Sequence, residues 1–372
     1  MTTVTYDAPA RVAPDTRPVA VWLLACCAMV LAMAVIGAIT RLTESGLSMV
    51  EWKPLIGFVP PLSEAEWQRV FELYRQTPEY RIFNAGMDLD GFQRIFWWEW
   101  FHRLWGRLIG VAFLLPFLWF LARGMIPRGL APKLAGLFVL GGLQGGIGWF
   151  MVMSGLSDAP NVSHYRLALH LGAAILIYAL MLRLALGLLD PLPLAGWRAE
   201  AAPLRRHARW ALGAVAVTIA WGAFVAGIRA GYAYNTFPDM AGHWIPPEMA
   251  TLSPWWLNAL ENTAAVQFIH RWLALGTGVL VLALVGRVHA ARLPGRAGRV
   301  ATALGAMILA QIGLGIATLL TVVWIPLAAA HQAGAILVVT LLVWLLHELR
   351  AVGAAGEFLP NSKHEDQKIR GA

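Results

Sequence analysis

The sequence predicts an all-α integral membrane protein of eight transmembrane helices, arranged as two parallel-repeat four-helix bundles. Three observations carry that prediction: eight apolar runs of spanning length, loops whose charge alternates, and short motifs that recur at a nearly constant offset. Composition agrees with it. Of 372 residues, 58% are hydrophobic and 13% are charged, against roughly a quarter charged in soluble domains. The 18 Trp suit a chain that meets the membrane–water boundary at both ends of every span.

Crossing about 30 Å of hydrocarbon takes roughly 20 residues. The runs fall at 19–40, 100–122, 131–153, 165–189, 208–229, 264–286, 298–322 and 326–347. Backbone groups in lipid must be satisfied within each segment, so each run is a helix. The loop with Arg123, Arg128 and Lys133 has no acid, and neither does the one with Arg287, Arg292, Arg296 and Arg299. Between them, Arg198, Arg205, Arg206 and Arg209 outnumber Asp190 and Glu200. Alternate loops are acidic (Asp239, Glu248, Glu261) or uncharged. The positive-inside rule then puts both termini in the cytoplasm and the segment from Arg41 to Glu99 outside.

The tail at 1–18 contains Asp7 and Asp15, which a mitochondrial transit peptide lacks, and no cleavage site follows the first run. A bacterial inner membrane is the expected location, with a second cytoplasmic tail at 351–372. The net charge of +8 is spread over short loops and forms no binding stripe, which argues against nucleic acid as a partner. Cys26 and Cys27 are adjacent inside the first run. They read as packing residues and offer no disulfide framework or metal spacing.

Self-similarity defines the halves, 19–189 and 208–350. Glu99-Trp-Phe-His102-Arg103 in the second run matches Gln267-Phe-Ile-His270-Arg271 in the sixth. His170-Leu-Gly-Ala-Ala-Ile-Leu in the fourth matches His331-Gln-Ala-Gly-Ala-Ile-Leu in the eighth. Gln144-Gly-Gly-Ile-Gly148 matches Gln311-Ile-Gly-Leu-Gly315, and the three offsets are 168, 161 and 167 residues. Four spans per copy make the two copies point the same way, a parallel repeat about an axis along the membrane normal.

Ionisable groups inside spans are candidates for function. His102, His170, His270 and His331 each fall in the first two turns of an even-numbered run, toward the outer face. A single such histidine is as readily a hydrogen-bonded interior residue; four, repeated by position, ask for a shared purpose. Two imidazoles facing across a slot are what a low-spin haem iron takes as axial ligands. Zinc fits less well, because no Cys, Asp or Glu completes four ligands at either pair. Gly172, Ala173, Ala333 and Gly334 would let a flat macrocycle approach, although small residues also serve plain helix packing. Arg103 and Arg271 either hold a haem propionate or snorkel to headgroups. His207, His289, His347 and His364 read as solvated, and His164 and His243 as external residues without a counterpart.

The halves differ at one charge. Glu99 shares a helix face with His102, whereas position 267 is Gln. A carboxylate beside one pair alone suggests chemistry in the first half and electron transfer in the second. Its bland alternative is an interfacial charge paired with Arg103.

Around these residues the chain resembles a known family. Gly37-Ala-Ile-Thr-Arg-Leu-Thr-Glu-Ser-Gly-Leu-Ser-Met-Val-Glu-Trp-Lys-Pro54 is similar to the haem A synthase signature after the first helix. So are Pro60-Pro-Leu-Ser-Glu64, Thr77-Pro-Glu-Tyr80 and Arg94-Ile-Phe-Trp-Trp-Glu-Trp-Phe-His-Arg-Leu-Trp-Gly-Arg107, with Gly231-Tyr-Ala-Tyr-Asn-Thr-Phe-Pro-Asp-Met240 in the second half. The likeness runs from about residue 19 to 350. The first external loop has no cysteine, which matches the mitochondrial and proteobacterial branch and carries over no loop thiol chemistry. The resemblance implies oxidation of the C8 methyl of haem O to a formyl group, giving haem A for terminal oxidases. It implies His270 and His331 as axial ligands of a resident haem b, and His102 and His170 as ligands of the substrate or product haem. Glu99 is then the catalytic candidate. Expected partners are haem O, the lipid bilayer, the haem O-producing farnesyltransferase (haem O synthase) and an electron acceptor. A di-haem b-type cytochrome exchanging electrons with a quinone shares the four histidines but leaves Glu99 and the long first loop without a purpose. A secondary transporter would want broken helices and polar groups near mid-bilayer.

Overall fold

The computed structural model describes residues 15–51, 57–157, 162–190, 198–293 and 295–350. Most of both tails, His364 and Trp52–Pro54 of the signature lie outside them, and the side chains of Arg198 and Glu200 are likewise not described. Among the described residues eight helices are long and apolar enough to cross a membrane. They are α1 (Arg17–Leu42), α4 (Leu89–Ala122), α5 (Ala131–Ser157), α6 (His164–Leu189), α7 (Arg198–Gly227), α9 (Thr263–Ala290), α10 (Ala297–Leu320) and α11 (Ile325–Glu348). Three short helices, α2 (Glu64–Arg75), α3 (Pro78–Phe83) and α8 (Asn258–Glu261), lie in the connections.

Local chemistry explains where these helices begin. Asp88 accepts from the Gly91 N–H, Ser63 from Glu66, Thr77 from Tyr80 and Asn262 from Ala265, each satisfying one of the orphan donors of a first turn. Pro78 and Pro326 occupy first-turn positions, where a missing N–H costs nothing. The α4 cap corrects the sequence reading. The helix starts at Leu89, well before the expected 100, so His102 falls in its fourth turn and not within its first two. Hydropathy registers only the part in lipid, while the preceding turns are polar and aromatic and rise out of it.

That extension carries the fold of the first external segment. Phe92 and Phe96 of α4 pack with Phe71 and Tyr74 of α2 in a small aromatic core, and Trp67 meets Phe96 edge-on at 4.9 Å. The main apolar core lies elsewhere. Its buried residues include Leu23, Phe117, Leu134, Leu182, Leu204, Leu284, Leu304 and Leu342. In every spanning helix these sit toward the end remote from the four histidines. One end of the bundle is therefore a tight aliphatic pack and the other holds the polar side chains.

α1 is the shared wall. It packs on α4 and α6 and also on α11, while α6 packs on α7 and α11. Polar ties reinforce these contacts. Gln332 Nε2 of α11 donates to the Ala34 carbonyl of α1 at 2.6 Å, and Tyr178 and Thr340 share a hydrogen bond of 2.8 Å. Arg41 at the end of α1 donates to the carbonyls of Ala226 and Gly227, in the last turn of α7 where carbonyls run short of intrahelical donors.

Candidate functional site

Each of the four histidines stands against a glycine of the neighbouring spanning helix. A Cβ at Gly37 would lie 3.0 Å from Cε1 of His102, at Gly148 3.0 Å from that of His170, at Gly222 3.0 Å from that of His270, and at Gly315 2.8 Å from that of His331. Such contacts leave no room for a side chain, so glycine sets how near each ring approaches its neighbour. The four rings are half-buried. His102 lies within electrostatic reach of His170, and His270 of His331.

On His102, His270 and His331 the Nδ1 atom is buried without a full hydrogen-bond partner. His170 differs. Gln144 Nε2 donates to its backbone carbonyl at 2.8 Å and lies 3.1 Å from its Nδ1. In the second half Gln311 Nε2 donates to the His331 carbonyl at 2.9 Å.

Glu99 is buried under the signature segment. Ser48 Oγ and the Met49 N–H each donate to Oε2 at 2.7 Å. Arg103 donates to Oε1 through Nε at 3.1 Å and through Nη2 at 2.5 Å, and also to the carbonyls of Met49 and Glu51. Gln267 occupies the matching place with a neutral amide. Its Nε2 donates to the carbonyls of Ala230 and Tyr234, and its Oε1 accepts from Arg271. Arg271 further binds the carbonyls of Tyr234, Thr236 and Asp239. Both arginines therefore clamp a loop onto a helix. A cleft of about 440 Å³ adjoins the Glu99 clamp, lined among others by Ser48, Met49, Arg69, Phe96, Arg103 and Arg107.

Near this clamp lies Glu79 of α3, which the sequence reading did not single out. It is buried with Oε2 lacking a partner. Burial pushes its carboxyl up to about 8, helped by Glu99 and Glu44 and opposed by Arg41 and Arg229. One other expectation needs correction. His347 is buried, because α11 runs on to Glu348 and encloses it in the last turn. His164 opens α6 buried against Tyr165 and Phe224, with Glu261 Oε1 3.7 Å away. The four glycines and the clamp donors Ser48 and Met49 were also missed. Glycine at matched places in both halves was the available signal, visible for Gly148 and Gly315 in their motifs.

The donor set discriminates among metals. Among the described residues no three His, Cys, Asp or Glu gather as a site for a bare ion. A pair of imidazoles is the donor set taken by an iron that brings its own four equatorial nitrogens.

Comparison with known proteins agrees. The COX15-CtaA family, described as "Cytochrome oxidase assembly protein", matches residues 20–343. The heme A synthase of Rhodospirillum centenum is 62% identical over 342 residues, covering 92% of this chain and 91% of that one. Those of Nitrosospira multiformis and Paramagnetospirillum magneticum are 52% and 51% identical, each over 90% of this chain and 94% of the relative. The chain is a multi-pass membrane protein, and it belongs to the haem A synthase family.

Proposed function

We infer that the protein is an oxidoreductase that converts haem O to haem A by oxidising the C8 methyl to a formyl group. Likeness to haem A synthases along nearly the whole chain supports the activity. One structural observation supports the division of labour. The two histidine pairs share their glycine contacts, while the clamp beside the first carries a carboxylate and that beside the second an amide.

In this reading His270 and His331 hold a resident haem b, which when bound supplies one-electron transfer through its iron. His102 and His170 hold the substrate haem. Each of two successive hydroxylations puts an oxygen from water on the methyl carbon and sends two electrons to the acceptor and two protons to base, and the geminal diol then loses water to leave the aldehyde. Glu99, one helical turn before His102, is the carboxylate placed to take such a proton. Its Ser48 hydroxyl, donating to Oε2, is the first group through which such a proton would leave. Arg103 holds the carboxylate in place, and the Ser48–Met49 segment shields it from water. Haem O dissolves poorly in water, which favours handover within the bilayer from haem O synthase, and an electron acceptor closes the cycle. The location is the bacterial inner membrane with both termini cytoplasmic, supported by the basic loops.

Variants of the purified protein test this assignment. His270→Ala and His331→Ala should abolish the haem b spectrum. His102→Ala and His170→Ala should keep most of it and fail to form haem A. Glu99→Gln should retain haem b and stall at haem O or the hydroxylated intermediate, with a product rate down at least about 10²-fold. All four contacts to Glu99 are donors, so an amide leaves one opposed; Glu99→Asp, which keeps the charge, should recover part of the rate. Equal loss of one chromophore in all four histidine variants, or a parental rate in Glu99→Gln, would refute the assignment.

A further inference from the structure

Gln144 and Gln311 hold matching places on α5 and α10, and each amide Nε2 donates to the backbone carbonyl of the histidine opposite. A carbonyl only accepts, so the amide orientation is fixed in both. Gln144 has a second hydrogen, and its Nε2 lies 3.1 Å from His170 Nδ1. An N–H aimed at that nitrogen requires a lone pair there, which puts the ring hydrogen of neutral His170 on Nε2. Gly148 leaves the room in which the ring sits beside this amide, since Cε1 lies 3.0 Å from where a Cβ would stand. The second pair lacks such a contact: Nδ1 of His270 and Nδ1 of His331 are buried with no hydrogen-bond partner among the described residues, so neither ring is held in the tautomer that withholds Nε2.

We propose that Gln144 holds His170 in the tautomer that does not bind iron, making the first pair a site of exchange while the second retains its haem. The proposal rests on reading both pairs as haem ligands. For His170 to ligate through Nε2, its hydrogen must move to Nδ1. That breaks the bond from Gln144 and sets one N–H against another. His331 meets no such penalty. A haem at the first pair is therefore held chiefly by His102, with His170 a weak second ligand, as suits a substrate that must arrive and a product that must leave. Gln144 is thus a positioning residue acting through His170.

Two measurements test this on the full-length protein in nanodiscs. The first needs no haem: ¹⁵N-histidine NMR of the haem-free protein, with the His170 signals identified by their loss in His170→Ala. An Nε2–H pattern is expected, and an Nδ1–H pattern overturns the proposal. The second follows transfer of iron protoporphyrin IX from the loaded protein to excess apomyoglobin. The parent should show a fast and a slow phase. Gln144→Leu, which cannot donate, should slow the fast phase about tenfold, as expected for removing one opposed hydrogen-bonding pair. Gln311→Leu should leave the slow phase no slower. A fast phase unchanged or quickened in Gln144→Leu, while His170→Ala still accelerates it, refutes the tautomer mechanism alone. No change of either phase in His170→Ala refutes the haem-site reading itself.

Discussion

At the scale of single residues, Glu79 shows how the external segment responds to pH. An unfolded carboxyl titrates near the ordinary 4.5, and the folded one near about 8. Between those values the folded state binds the extra proton, so its stability is fullest at and below about 4.5 and falls as pH rises toward 8. That gap sets the loss at no more than a few kcal/mol. Glu79→Gln keeps the shape and removes the titration. Its thermal midpoint in detergent should match the parent at pH 5 and exceed it at pH 8.5; an equal difference at both values would assign the effect to packing. Glu79 also marks a limit of the sequence. The histidines were legible because the repeat presents each twice, and Glu99 because its partner position differs. Glu79 has no repeat partner, and its burial depends on α3 packing against α2 and α5, which no local pattern encodes.

Helix contacts decide the next level. At Gly227 a Cβ would lie 2.3 Å from the Cβ and 2.7 Å from the Cα of His164. α6 and α7 therefore cross there with backbone nearly on backbone. Gly227→Ala must push the helices apart and disturb the carbonyls that Arg41 caps. A cost of about 1–3 kcal/mol is expected for overpacking of this kind, read as a lowered thermal midpoint. Gly213→Ala on the same helix, where a Cβ meets nothing within 4 Å, should be neutral or slightly stabilising. A Gly227→Ala protein as stable as Gly213→Ala would show that the crossing is loose. The existence of all eight spans was legible, since each is a long apolar run. The starts of α4 and α7 were not, because their first turns are polar and hydropathy has nothing to register there.

For the whole molecule, the sidedness of the histidine end is the property to establish. The four histidines, the Glu99 clamp and α2 and α3 share one end of the bundle, and the basic loops around Arg123 and Arg287 lie at the other. With the two native cysteines buried, the parent provides a quiet background for labelling. Glu72→Cys should react with a membrane-impermeant maleimide in intact cells, and Arg123→Cys only after permeabilisation. The opposite pattern would invert the topology. Positive-inside counting assigns the basic end to the cytoplasm from loops alone, whereas the tight aliphatic end and the polar end emerge only once the helices are packed.

The bond from Gln332 to Ala34 bears on how such a chain could have arisen. Gln332 follows His331, and its amide reaches the α1 carbonyl one turn from Gly37, the seat of His102. If an ancestral four-helix gene was duplicated and fused, this glutamine made the fusion hard to undo. Expressed alone, the later copy would expose an amide to acyl chains with no acceptor, and the earlier copy would lose the helix that covers α1. Each further contact across that seam would tighten the dependence, so the two copies were free to diverge in chemistry without being free to separate.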